Sequence, residues 1–186
     1  MSLTNLLVPT YSQMLHALSG WLSKAEGQSE DAARLLVARL ASDMFPLSSQ
    51  IRFSCLQAYE AVFRIRGEAL PDIWNDLAQE GQNAGDRPGT IADAQARITE
   101  TRSFLNNLAS DALDAGGHNS ISIELPNGMI FDMTGDQYAR DWALPQFNFH
   151  LVTAYAILRN QGVDLGKADY VQHAFAYVRP GTIPGT

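Results

Sequence analysis

Few of the side chains in this 186-residue chain that can do acid–base, nucleophilic or metal chemistry are spaced to act together. In FNFHLVTAYAILRNQG, His150 shares one helical face with Phe147, Leu151, Ala154, Ile157 and Leu158, so its ring points between helices rather than into open solvent. An imidazole placed there serves as a metal ligand, a general base, or a neutral group that donates from one nitrogen and accepts at the other. Cys55 lies on the inner stripe of another helix. It reads as a small buried hydrophobe, because a catalytic thiolate needs a positive neighbour and an oxyanion hole that no motif here supplies. His16, His118 and His173 fall on a helix flank, beside a Gly-Gly pair and late in the chain, with no ligand spacing among them. Asp43 precedes Pro46, where a carboxylate can accept from the first turn of the helix that follows. AGDRPGT and AGGHNS lack the strand and lysine of a phosphate-cradling loop.

The elements that must position these groups are mostly helical. Tyr11, Met14, Leu15, Leu18, Trp21, Leu22 and Ala25 recur at three- and four-residue steps, and Gly27 offers a stop. A shorter helix is expected in EDAARLLVARL. A second long helix is opened at Pro46, carries Leu47, Ile51, Cys55, Ala58, Val62 and Ile65, and closes at Gly67. LPDIWNDLAQEGQNAGDRPG predicts a short helical turn and then an exposed loop. Thr90 caps a third long helix with Asp93 in its first turn, and Ile91, Ala94, Ile98, Thr101, Leu105 and Leu108 form the inner face. In SISIELPNGMIFDMTG the period changes to two on both sides of Asn127-Gly128, which predicts a β-hairpin. Thr134 and Gln137 stand at capping-box spacing, and Pro145 opens a fourth long helix that runs to Arg159 or Asn160. Four amphipathic helices bury their stripes most economically as a bundle, so the expected fold is mainly α, a four-helix bundle with a small hairpin inserted before the fourth helix. One domain over residues 1–175 is expected, then an irregular Pro- and Gly-rich tail over 176–186.

The net charge of −7 disfavours nucleic acid as a partner, since nonspecific binding needs Lys and Arg to neutralise phosphates. FRIRGE, the most basic short run, holds two arginines and ends in Glu68. With a single cysteine there is no intrachain disulfide, which fits a reducing compartment. MSLTNLLVPTYS has no basic start leading into an apolar core, and no apolar stretch is long enough to span a bilayer. A cytoplasmic protein without a membrane partner is expected.

ARLASDMFPLSSQI, the hairpin and FNFHLVTAYAILRNQGVDLGKADY together resemble the bacterial domain of unknown function numbered nineteen ninety-three, within the DinB-like (YfiT-like) four-helix-bundle superfamily. The resemblance runs from the first helix to Tyr170. It implies a bundle that often pairs, hence a homodimer, with residues of the aromatic run Trp142, Phe147, Phe149 and Tyr155 available for a subunit contact. Many members of that superfamily hold a divalent metal with one histidine on the second long helix and two, four residues apart, on the fourth. Here His150 matches the first of the fourth-helix pair, Ala154 stands at the second, and the helix from Pro46 to Arg66 has no histidine. Gln50 occupies the general region of the second-helix ligand. The expectation is a bundle without the metal triad or any cofactor, acting as a small-ligand-binding or interaction protein with Asp43, Gln50 and His150 as its candidate pocket. The alternative is an enzyme, a transferase or hydrolase dependent on zinc or nickel, in which carboxylates such as Asp43 or Glu60 join His150.

Overall fold

The computed structural model describes residues 2–29 and 31–182. Met1, Glu30 at the head of the expected short helix, and residues 183–186 of the expected tail lie outside the described residues.

Helix α1 spans Leu3–Gln28, eight residues longer at its start than its periodic stripe predicts. The Ser2 hydroxyl caps it by accepting from Asn5 N at 3.1 Å. Pro9 sits inside and cannot donate to the carbonyl four residues back. The helix continues because Leu3 and Leu7, on the far side of that proline, are buried in the core. A six-residue 3-10 turn, Ala32–Val37, takes the place of the expected short helix and buries Leu35 and Leu36.

Helix α2, Leu47–Arg66, ends at Gly67 in the left-handed region (φ 69°), with Glu68 N bonded back to Phe63 O at 2.9 Å. Helix α3, Asp72–Asn83, fills the segment expected to be mostly loop. Its Gly81 reads as a breaker in the sequence, but it packs against α2 where a Cβ would lie 2.4 Å from Phe53 Cε1. Helix α4, Ile91–Asn106, begins with the Thr90–Asp93 capping box.

Strands β1 (Ser120–Glu124) and β2 (Ile130–Thr134) form an antiparallel hairpin in the register Ile121↔Met133 and Ile123↔Phe131. Ile121 and Ile123 face the core, and Gly128 takes φ +83° in the turn. Helix α5, Gly135–Gln137, starts at a second capping box, on Thr134. It passes without a break through a π-helical turn, Tyr138–Ala143, into α6, Leu144–Asn160. The fourth long helix is thus entered nearly three turns ahead of Pro145, which sits in the first turn of α6. Helix α7, Lys167–Tyr170, returns to α1, where Trp21 Nε1 donates to Asp169 O at 3.1 Å. A 3-10 turn over Gln172–Tyr177 follows.

Paired residues give the directions. Ser12 meets Asn106 and Ser19 meets Gln95, so α1 and α4 are antiparallel. The rings of Tyr11 and Phe147, and of Trp21 and Tyr155, make α1 and α6 parallel. Helix α2 lies among α1, α4 and α6 with α3 on its remaining side. Every residue of α2 is buried except Phe53, Phe63, Arg64 and Arg66. No helix among the described residues is long and apolar enough to cross a membrane.

Candidate functional site

An enclosed helix cannot leave its polar side chains to water, and each needs a partner in the protein. Along α2 the partners are specific. Ser49 Oγ donates to Gly81 O at 2.6 Å and Ser54 Oγ to Gln50 O at 2.9 Å. Arg52 donates to Ser48 Oγ at 2.8 Å and lies 3.5 Å from Glu80, which also binds Arg97. The Ser49 and Arg52 contacts tie α2 to α3, and Glu80 of α3 carries the network on to Arg97 of α4. They border a cleft of about 370 Å³ in which carboxylates and guanidiniums neutralise one another.

Gln50 makes a different connection. Its Nε2 donates to Phe45 O at 3.1 Å, which turns Oε1 toward α6, where it lies 2.9 Å from His150 Nδ1. An amide oxygen only accepts, so Nδ1 carries the ring proton and the lone pair is left on Nε2. His150 is half-buried. Desolvation lowers its pKa to about 4, and no charged group opposes the shift. The ring is therefore neutral at pH 7. Its Nε2 has no hydrogen-bond partner and is not sealed from solvent among the described residues. Phe53 lies 5.1 Å from the imidazole and Phe149 5.3 Å, centroid to centroid, and Phe45 packs edge-on to Phe53. Phe45 and Phe149 are 47% and 56% exposed, unusual for phenylalanine. The result is one accepting nitrogen within an apolar aromatic surface. It can take a hydrogen bond from a ligand whose body stacks on the rings.

The structure brings Gln50 and His150 together and leaves Asp43 apart. Asp43 is exposed in the turn before α2 and bonds to neither. Nor does it take up the expected capping role, because extended Pro46 is the N-cap residue and no side chain bonds there. Sequence reasoning missed Phe45 and Phe53. The available signal was the Gln50-x-x-Phe53 spacing, which puts both side chains on one side of α2.

The donor atoms do not fit a divalent metal. Gln50 Oε1 is engaged by His150, Thr153 Oγ1 donates to Phe149 O at 2.7 Å, and Ala154 is apolar and buried. Glu60 is paired with Arg64 at 2.7 Å. No group of three or more His, Cys, Asp or Glu side chains able to hold a metal occurs among the described residues. Cys55 is fully buried, and desolvation pushes its thiol up to about 12 against the opposing Thr101 hydroxyl, so it stays protonated.

The mainly helical bundle with a small antiparallel hairpin before its last long helix is DinB-like in fold. The chain belongs to the family described as Domain of unknown function (DUF1993), whose model matches residues 3–171. It is also similar to the crystal structure of a DinB family member protein from Shewanella denitrificans. The two are 29% identical with a TM-score of 0.74, over 98% of this chain and 96% of that one. No curated protein matches the sequence.

Proposed function

We propose that this is a cytoplasmic, homodimeric DinB-like protein of one domain ending near residue 175, lacking the metal triad and binding a small organic ligand beside the Gln50–His150 pair. The observation that carries the reading is the 2.9 Å contact between Gln50 Oε1 and His150 Nδ1. Because Phe45 O holds the Gln50 amide, the imidazole is kept as the neutral tautomer with Nε2 as acceptor. The complementary ligand is neutral and largely apolar, with one hydroxyl or ring N–H to donate to Nε2 and a face to lie against Phe149 or Phe53. A charged ligand is disfavoured, since the rings and the uncharged imidazole offer it no counter-ion.

Phenol and indole are suitable probes, titrated while the His150 side-chain resonances are followed by NMR. Saturable shifts at His150 and Phe149 in the wild type, with the Phe149 shift lost in His150→Phe, support the reading. Shifts of equal size in that variant would remove the imidazole from it. A transferase or hydrolase using zinc or nickel is the rival, and the donor set around His150 lends it no support. Elemental analysis of protein purified without chelator or affinity tag separates the two, because stoichiometric zinc, nickel or iron would overturn the metal-free reading.

A further inference from the structure

Arg52 of α2 is 4% exposed, yet only part of its guanidinium is matched. Nη1 donates to Ser48 Oγ at 2.8 Å, and Nε stands 3.5 Å from Glu80 Oε2. No described residue accepts from Nη2, and that atom is not sealed in the interior. It opens into the cleft of about 370 Å³ among α2, α3 and α4, which Arg52 lines with Glu80, Arg87, Asp93, Arg97 and Glu100. Gly89 also borders this cleft and carries no side chain into it. A Cβ there would lie 2.9 Å from Arg52 Nη2 and 3.2 Å from Asp93 Oδ2, so a donor from α2 and an acceptor from α4 flank one point.

The three guanidiniums and three carboxylates of the cleft balance in charge without all pairing. Arg97 takes Glu80 and Glu100. Asp93 Oδ2 accepts instead from the Thr90 N–H and hydroxyl, both at 2.8 Å, in the capping box of α4. Arg87, exposed beyond the end of α3, lines this cleft and an adjoining one of about 460 Å³ and pairs with no described carboxylate. The unmatched groups are therefore cationic at Arg52 Nη2 and Arg87, and anionic at Asp93 Oδ1. A buried guanidinium with free N–H groups is costly until an acceptor meets them, and a carboxylate matches its geometry best. A simple anion would also meet the Asp93 carboxylate, and a simple cation the free guanidiniums, so neither gains much from a balanced cleft. A molecule holding both charges close together answers both sides, and the cleft has the usual size of a small-molecule site.

We propose that this cleft binds a small zwitterion, an α-amino acid, whose carboxylate lies on Arg52 Nη2 and Arg87 and whose ammonium turns to Asp93. The site is separate from the Gln50–His150 pair. L-Alanine, propionate and ethylamine share one carbon skeleton and test it, titrated at equal pH and ionic strength while backbone amide resonances are followed by NMR. Saturable shifts of the Gly89 and Asp93 amides are expected with L-alanine. Propionate and ethylamine should each bind about tenfold more weakly or worse, since each forfeits one charged contact. Arg87→Ala removes an exposed side chain held by no described residue, so its urea midpoint should stay unchanged while L-alanine affinity falls about tenfold or more. The absence of saturable shifts with L-alanine overturns the proposal, as do shifts confined to the surroundings of His150. Propionate or ethylamine binding as tightly as L-alanine overturns it too, because the cleft then reads one sign of charge. An Arg87→Ala protein that binds like wild type has the same consequence. Should that variant fail to fold, the three titrations of wild type decide by themselves.

Discussion

His150 is held neutral by its surroundings, and this has a measurable linkage. Its pKa falls to about 4 in the folded protein from about 6.5 in an unfolded chain. Between those values the unfolded state binds the extra proton, so stability is complete above about pH 6.5 and declines as the pH falls toward 4. For one histidine of this burial the loss is about 1–3 kcal/mol. Urea unfolding of wild type and His150→Gln at several pH values between 7 and 4 is the check. The variant should show the shallower decline, and parallel declines would mean that the imidazole is not desolvated. Carboxylates such as Asp114 and Asp169, whose pKa values are lowered by hydrogen bonds, titrate alike in both proteins and cancel in the difference. His150 was legible as a residue turned inward, because helical phase is local. Gln50 entered the candidate pocket only through the family resemblance, since it lies a hundred positions away and only the relative rotation of α2 and α6 aims one at the other.

Among the elements, the long amphipathic stripes, both capping boxes and the hairpin were readable because each is written in neighbouring residues. The departures have one kind of cause. Helix α1 runs through Pro9 because core burial of Leu3 and Leu7 outweighs a missing hydrogen bond. Helix α3 forms across Gly81 because α2 demands a residue without a side chain there. In an exposed helix, replacing glycine by alanine stabilises by about 1 kcal/mol. Here Gly81→Ala is expected to destabilise by about 1–3 kcal/mol, the usual cost of overpacking. Phe53→Leu in the same background should recover part of that loss. Thermal or urea unfolding decides the sign, and a stabilised Gly81→Ala would disprove the close packing of α3 on α2.

At the scale of the whole molecule, part of the exposed apolar surface lies beside the candidate site. Phe149 and Val152 lie three residues apart on α6 and are 56% and 46% exposed, with Phe45 near the same site. The proposed homodimer would cover these side chains and close over His150. Sedimentation at micromolar concentration should then give about twice the 20.4 kDa chain mass, and Phe149→Asp with Val152→Asp should give the monomer. A monomeric wild type would dispose of the dimer and leave the ligand site open to solvent.

The residues alone settled where the four long helices and the hairpin lie and which face of each long helix turns inward. Those features follow from periodicity, capping and composition, which act over a few neighbouring positions. The assembled bundle decided that α2 is enclosed on every side, that Gln50 presents its oxygen and not its nitrogen to His150, and that Asp43 stands away from both. Hydrogen-bond partners and desolvation depend on which helices meet and at what rotation, and those relations exist only once the core has closed.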